Sequence, residues 1–244
     1  MTRIHVPGPI EAGRECTLGA SQSHHLSSVL RLKPGDALVL FDGAGAEYAA
    51  TVLRAGKRGV TVTVRERKTV SRESPLAVTL AQAVSSGERM DYTIQKAVEL
   101  GAAAIQPLAA SRSIVRLSAE RAGRRAAHWQ AVAVAACEQC GRNHVPSVAA
   151  VLPLGRWLAQ LPAAGDGSRR LLLTPRGDTR LRDLEPPRHS VILLAGPEGG
   201  YTQEEEAAAR RAGFLPVNLG PRVLRTETAA VAALAALQAL WGDA

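Results

Sequence analysis

Through residues 1–72 apolar and polar positions alternate with the period of two that marks half-buried strands. Arg3–Val6 and Ala37–Phe41 are short examples. Glu47–Arg54 and Val60–Arg67 make a hairpin pattern, with Val60, Val62 and Val64 on one face and Thr61, Thr63 and Arg65 on the other. Glycine turns punctuate the run at Asp42–Gly45 and at Gly56-Lys57-Arg58-Gly59. Ser21–Leu30 reads as one short helix, N-capped by Ser21 or Ser23, with Leu26, Val29 and Leu30 as its apolar stripe. Short strands joined by glycine turns predict a small β-barrel.

Thr69–Pro75 is polar and ends in proline, so the boundary falls there, giving domains 1–72 and 73–244. Beyond it strands and helices take turns. The pattern predicts strands at Leu76–Val84, Ala104–Pro107, Arg170–Thr174, Ser190–Ala195 and Phe214–Leu219. It predicts helices at Glu88–Leu100, Ser118–Cys137, Leu154–Leu161, Gln203–Ala212 and Thr226–Leu240. The fold class is α/β, with a parallel sheet covered on both faces.

Composition adds a charge asymmetry. The chain of 244 residues carries a formal charge of +8, and residues 1–72 hold 11 basic against 6 acidic residues. Most of the basic residues are arginine, whose planar fork suits phosphate, so a polyanionic partner fits. With one Phe and one Tyr in residues 1–72, a base-stacking sheet is poorly supported, and backbone contact through Arg and Lys is favoured. Three cysteines, Cys16, Cys137 and Cys140, offer no second CxxC and only His144 nearby, which argues against a metal site. The odd count and the lack of a signal-peptide pattern point to the cytoplasm. The alanine-rich segment after Glu227 is too short to span a bilayer, so no membrane partner is expected.

Candidate chemistry gathers at strand-to-helix junctions. In Leu194-Ala-Gly-Pro-Glu-Gly-Gly200 the glycines let a ligand approach the backbone, and Thr202 with Glu205 forms a capping box. The loop matches neither GxGxxG nor a phosphate-cradling loop ending in Gly-Lys-Ser/Thr. In Leu219-Gly-Pro-Arg-Val-Leu-Arg-Thr-Glu-Thr228, Arg222 and Arg225 stand at a helix N-terminus, an unfavourable place for cations unless an anion meets them. Thr226 or Thr228 can cap that helix, and Glu227 sits where its charge is favoured, an orienting rather than proton-accepting position. Arg89, Arg112 and Arg116 follow earlier strands on the ligand-facing edge, and Lys96 with Glu99 reads as a surface i,i+3 pair. Glu138-Gln-Cys-Gly-Arg-Asn-His144 ends a helix in groups able to read a base or ribose, or to be solvated. His24, His25, Arg31 and Lys33 make a basic cluster near the N-terminus.

Seven blocks then carry a resemblance: His24–Arg31, Phe41–Tyr48, Gly87–Tyr92, Gln95–Gly101, Glu138–Arg142, Gly196–Gly200 and Leu219–Ala229. Together they resemble the bacterial 16S ribosomal RNA uridine N3-methyltransferase family of the knotted SPOUT superfamily. The blocks span nearly the whole chain, with departures at Ser86 and His128. The resemblance implies a PUA-like RNA-binding barrel, a C-terminal trefoil knot and a homodimer acting on 16S rRNA within an assembled small ribosomal subunit. It implies S-adenosylmethionine held by Leu173, Thr174, Gly196, Pro197, Glu198, Gly199, Gly200, Leu219, Gly220, Leu224, Arg225, Thr226, Thr228 and Ala229. Arg225, Glu198 and Arg112 are the expected catalytic residues. His24, His25, Arg31, Lys33, Arg89, Arg112, Arg116, Arg142 and Arg222 are the expected RNA contacts, and no metal is required. Rival expectations are a SPOUT enzyme acting on another nucleotide, for example at ribose 2′-O, and a non-catalytic RNA-binding assembly protein.

Overall fold

The computed structural model describes residues 1–56, 59–113, 119–163 and 167–244. Lys57 and Arg58 of the expected turn, and Arg116 and Ser118, lie outside the described residues. The chain forms two compact units, Met1–Glu73 with Cys137–Val145, and Ser74–Ala136 with Pro146–Ala244.

In the first unit β1 (Thr2–His5), β2 (Glu15–Thr17), β3 (Ala37–Phe41), β4 (Ala46–Gly56) and β5 (Gly59–Thr69) form a sheet in the order β1-β3-β4-β5-β2. The three expected central strands are present, and β2, too short to show periodicity, is an addition. Among the described residues no ladder joins β1 to β2, so the sheet is not closed into a barrel by backbone pairing. Its inward face buries Ile4, Leu38, Leu40, Val52, Val60, Val62 and Val64.

The expected helix at Ser21–Leu30 is shorter and differently wound. Helix α1 (Ala20–His24) runs into a π-helical turn at His25–Val29. The wider turn leaves Leu26 buried but Val29 60% and Leu30 42% exposed, so the stripe drawn at 3.6-residue spacing fails. Nor do Ser21 or Ser23 cap the helix, whose N-cap is Gly19. Ser23 is instead buried, its hydroxyl donating to the Leu18 carbonyl at 3.0 Å and accepting from Val60 N at 2.9 Å.

Cys137–Val145 joins this unit through polar contacts invisible to periodicity. His5 N donates to Glu138 Oε1 at 3.0 Å, Arg3 Nη2 donates to Asn143 Oδ1 at 2.6 Å, and Asn143 Nδ2 donates to the Val70 carbonyl at 2.8 Å. Arg142 is 5% exposed and its guanidinium is paired with Glu73 through Nε and Nη2, Nε lying 3.0 Å from Oε2. That corrects the expectation of an RNA contact at Arg142, since a buried fork already committed to a carboxylate is closed to phosphate. Burial also pushes the Cys137 thiol up to about 12, which suits an inert core thiol.

The second unit is built on a parallel sheet. Its strands are β6 (Ala77–Ala83), β7 (Ala102–Ala109), β8 (Ser147–Val148), β9 (Leu152–Pro153), β10 (Arg169–Leu173), β11 (Thr179–Arg180), β12 (Ser190–Ala195) and β13 (Leu215–Asn218). Their order is β11-β13-β10-β12-β6-β7-β8, with β9 paired to β7, and every ladder is parallel. On one face α4 (Leu154–Gln160) and α5 (Gln203–Arg211) pack Trp157, Leu158 and Ala209 with Leu172, Leu194 and Phe214. Against the sheet also lie α2 (Glu88–Glu99), with Met90, Ile94, Ala97 and Val98 buried, and α6 (Thr226–Trp241), with Ala230, Ala233, Leu234 and Leu237 buried. The long α3 (Ala119–Cys140) is held by Trp129, whose Nε1 donates to Asp91 Oδ1 at 3.1 Å, and the expected Lys96–Glu99 pair closes at 2.8 Å. Among the described residues no helix is long and apolar enough to cross a membrane.

Arg142→Ala leaves Glu73 partly buried and unpaired, so urea unfolding is expected to register a loss of about 3 kcal/mol. A loss below about 1 kcal/mol would contradict a structural role for this pair.

Candidate active site

In the order β13-β10-β12-β6 four parallel strands release their chains on one edge of the sheet. The loops after β10, β12 and β13, far apart in sequence, therefore meet there. They enclose a cleft of about 710 Å³, lined also by Arg89 at the start of α2 and by Arg112. The volume lies within the range of roughly 300–1,000 Å³ usual for small-molecule sites.

Specific bonds set each wall. After β10, Thr174 N donates to the Val217 carbonyl at 3.0 Å, while Thr174 Oγ1 and Arg176 Nη2 donate to Glu206 Oε1 at 3.1 and 2.7 Å. Gly177 is required there, because a Cβ would meet the Val217 backbone at 2.8 Å. After β12, Gly200 turns back with φ +65° and donates to the Pro197 carbonyl at 2.9 Å. Tyr201 OH donates to the Ala195 carbonyl at 2.8 Å, and Thr202 with Glu205 closes the expected capping box in front of α5. After β13, Gly220 adopts φ +105° and donates to Asn218 Oδ1 at 3.0 Å.

The two glycine loops are tied to each other. Thr226 Oγ1 donates to the Gly196 carbonyl at 2.6 Å, and Gln82 Nε2 at the end of β6 reaches Gly196 O at 3.3 Å and Thr226 Oγ1 at 3.2 Å. Thr226 or Thr228 was expected as the helix cap, but Arg225 holds the N-cap position without a side-chain bond, and the Thr226 hydroxyl is a crosslink. Gln82, hidden in an apolar strand pattern, carried no sequence signal of this role.

The acidic and basic groups sort into committed and free. Glu198 Oε1 accepts from Ser86 N at 2.8 Å, Ser86 Oγ at 2.7 Å and Arg89 Nη1 at 3.0 Å. Burial by itself would raise the Glu198 carboxyl, but the Ser86 bonds, a bond from its own backbone and the Arg89 bond outweigh it and push the group down to about 2. So held, Glu198 is a poor proton acceptor, which corrects its expected catalytic role to one of positioning. Arg89, expected to contact RNA, is drawn into the same cluster, with its Nε 3.9 Å from Glu227 Oε1. Arg112 Nη1 donates to the Gly199 carbonyl at 3.2 Å. Arg222 and Arg225 are exposed and have no side-chain partner among the described residues.

Of the expected cofactor residues, Leu173, Thr174, Gly196, Pro197, Glu198, Gly199, Gly200, Leu219, Gly220, Leu224, Arg225, Thr226 and Ala229 line the cleft, whereas exposed Thr228 stands outside it. Arg176, Tyr201 and Glu206 also line it and were missed. The acidic run Glu204–Glu206 had suggested only a favourable helix start. His24, His25, Arg31 and Lys33 are exposed in the first unit, and Arg31 adopts φ +53°. Among the described residues no cluster of potential metal ligands occurs.

A parallel α/β domain with this cleft, preceded by a small β unit, matches two family descriptions. Residues 72–238 match an RNA methyltransferase domain, and residues 18–65 match an RNA methyltransferase PUA domain. The chain is 37% identical over 231 residues to ribosomal RNA small subunit methyltransferase E of Synechocystis, covering 92% of this chain and 73% of that protein. A structure of the enzyme of that name from Neisseria gonorrhoeae, bound to S-adenosyl methionine, aligns with TM-score 0.92 and 41% identity over 100% of this chain and 99% of the other. A Legionella pneumophila methyltransferase structure with bound SAM aligns with TM-score 0.95 and 40% identity, covering 100% and 99%. The chain belongs to the RNA methyltransferase family and, within it, groups with the ribosomal RNA small subunit methyltransferase E proteins.

Replacing Glu198 by Gln should destabilise the fold by about 3 kcal/mol at pH 7. The carboxyl is lowered on folding from 4.5 to about 2, so its contribution is full above about pH 4.5 and lost as pH falls toward about 2. Urea titrations at pH 7, 4 and 3 should show the gap between wild type and E198Q closing with acid; a pH-independent gap would contradict the assignment.

Proposed function

We infer that this protein transfers a methyl group from S-adenosylmethionine to small-subunit ribosomal RNA, at N3 of a uridine in 16S rRNA. The observation that carries the reading is the cleft at the strand ends, together with full-length similarity to methyltransferase structures holding that cofactor. The residues fit it. Gly196, Gly200 and Gly220 keep side chains away from the cleft wall, and a Cβ on Gly200 or Gly220 would meet nothing within 4 Å, which marks open space for a ligand beside the backbone. Leu173, Leu219 and Leu224 supply apolar surface for an adenine ring.

S-adenosylmethionine, when bound, supplies an electrophilic methyl on a sulfonium. Everything else falls to the chain. Backbone groups of Leu173–Thr174, Gly196–Gly200 and Leu219–Gly220 hold the cofactor, and the Thr226 crosslink keeps the loops in register. Arg225 and Arg112 lie at the cleft and can stabilise negative charge that spreads to the uracil oxygens as N3 loses its proton. Arg222 meets phosphate beside them. His24, His25, Arg31 and Lys33 bind the RNA backbone from the domain spanning residues 1–72. The uridine is presented unpaired, because Watson–Crick pairing occupies N3. The motif blocks support a homodimer, a trefoil knot through the loops of the cleft, a cytoplasmic location and the assembled small subunit as substrate.

Nucleoside mass spectrometry of small subunits treated with the protein and the cofactor is expected to find a methyl on the uracil base. Methylated ribose, or no new mass, would refute the reading. Arg225→Ala should lower turnover about 100-fold or more while leaving calorimetric cofactor affinity within about threefold; unchanged turnover would remove Arg225 from the reaction.

A further inference from the structure

Two carboxylates line the cleft beside Arg89, and the surrounding bonds treat them differently. Glu198 Oε1 takes three donors, while its Oε2, like that of Glu227, is buried without a partner. Glu227, on the first turn of α6, has only the Arg89 Nε at 3.9 Å from its Oε1, beyond hydrogen-bond range, and its Oε2 is buried with no partner. A buried carboxylate oxygen without a donor is costly unless a ligand's N–H completes it. The side chain is 16% exposed, and the residue directly follows the loop that bears the two unpartnered arginines.

Resting on the function inferred above, and against the orienting role that its place at a helix N-terminus suggested, we propose that Glu227 is the proton acceptor of the reaction, taking the ring N–H proton of the target uracil while Arg89, held by Glu198, flanks the carboxylate. The step balances as follows. The N3–H proton passes to Glu227, the N3 electron pair forms a bond to the methyl carbon, and the electrons of the broken C–S bond stay on sulfur as a neutral thioether. Protonated Glu227 then returns its proton to solvent. The charged groups at the cleft around Glu227 are Arg89 from α2 and Glu198 from the loop after β12, with Arg225 at the N-cap of its own helix. A base needs reach before basicity; of the two carboxylates beside Arg89, Glu227 accepts no side-chain hydrogen bond among the described residues, whereas Glu198 commits Oε1 to three donors.

The test compares wild type with E227Q and E227D on small subunits. E227Q should lose about 10²–10⁴-fold in single-turnover rate, with calorimetric affinity for S-adenosylhomocysteine and the melting temperature near wild type. E227D should recover part of the rate. Between about pH 7 and 9 the E227Q rate should climb about tenfold per unit, because the uracil must ionise without help, whereas the wild-type rate climbs less steeply. An E227Q rate equal to wild type, the same pH profile in both, or a parallel fall in cofactor affinity would overturn the role of Glu227. A wild-type product methylated on ribose, or not at all, would instead overturn the substrate reading on which the role rests.

Discussion

Parallel hydrogen bonding between β13, β10, β12 and β6 is the constraint on which the site depends. In a parallel ladder all carboxyl ends lie on one edge, so every loop leaving those strands emerges on the same side. Thr174, Gly196 and Gly220 come from segments separated by tens of residues, yet they face one cleft because β10 lies between β12 and β13. The apolar cores fasten helices to the sheet and thereby hold the loop ends still. Antiparallel pairing of any one of these strands would carry its loop to the opposite edge.

Within that frame a few polar bonds decide which charges are held and which are free to react. The Thr226 hydroxyl, the Gly196 carbonyl and the Gln82 amide tie two loops together at the cleft. Ser86 and Arg89 saturate one oxygen of Glu198, which makes that carboxylate a brace. The same Arg89 stops short of Glu227, and no described group reaches Arg222 or Arg225. Groups that satisfy one another build the cleft, and Arg222 and Arg225 stand at its wall without a side-chain partner among the described residues.

Much of this was legible in the residue pattern. The strands at Ala37–Phe41 and Ser190–Ala195 and the capping box of Thr202 and Glu205 appear as expected, because strand alternation and capping are local rules. The short pairings at Glu15–Thr17 and Thr179–Arg180 were not legible, since two or three residues carry no period. Val29 and Leu30 were misplaced because a π-helical turn breaks the 3.6-residue spacing. Arg142 and Thr226 had the right chemistry for the expected roles, but Glu73 and Gly196 claim them through contacts across the sequence.

The sequence by itself determined the alternation of strands and helices, the positions of the glycine turns and the family resemblance. Each depends on residues close together or on a recognisable order of blocks. The tertiary structure alone decided the strand order, hence which loops share a cleft, and the pairing that separates Glu198 from Glu227. Periodicity reports which face of an element is buried. It carries no information about which distant donor reaches a given carboxylate, and that is settled only when the strands are laid side by side.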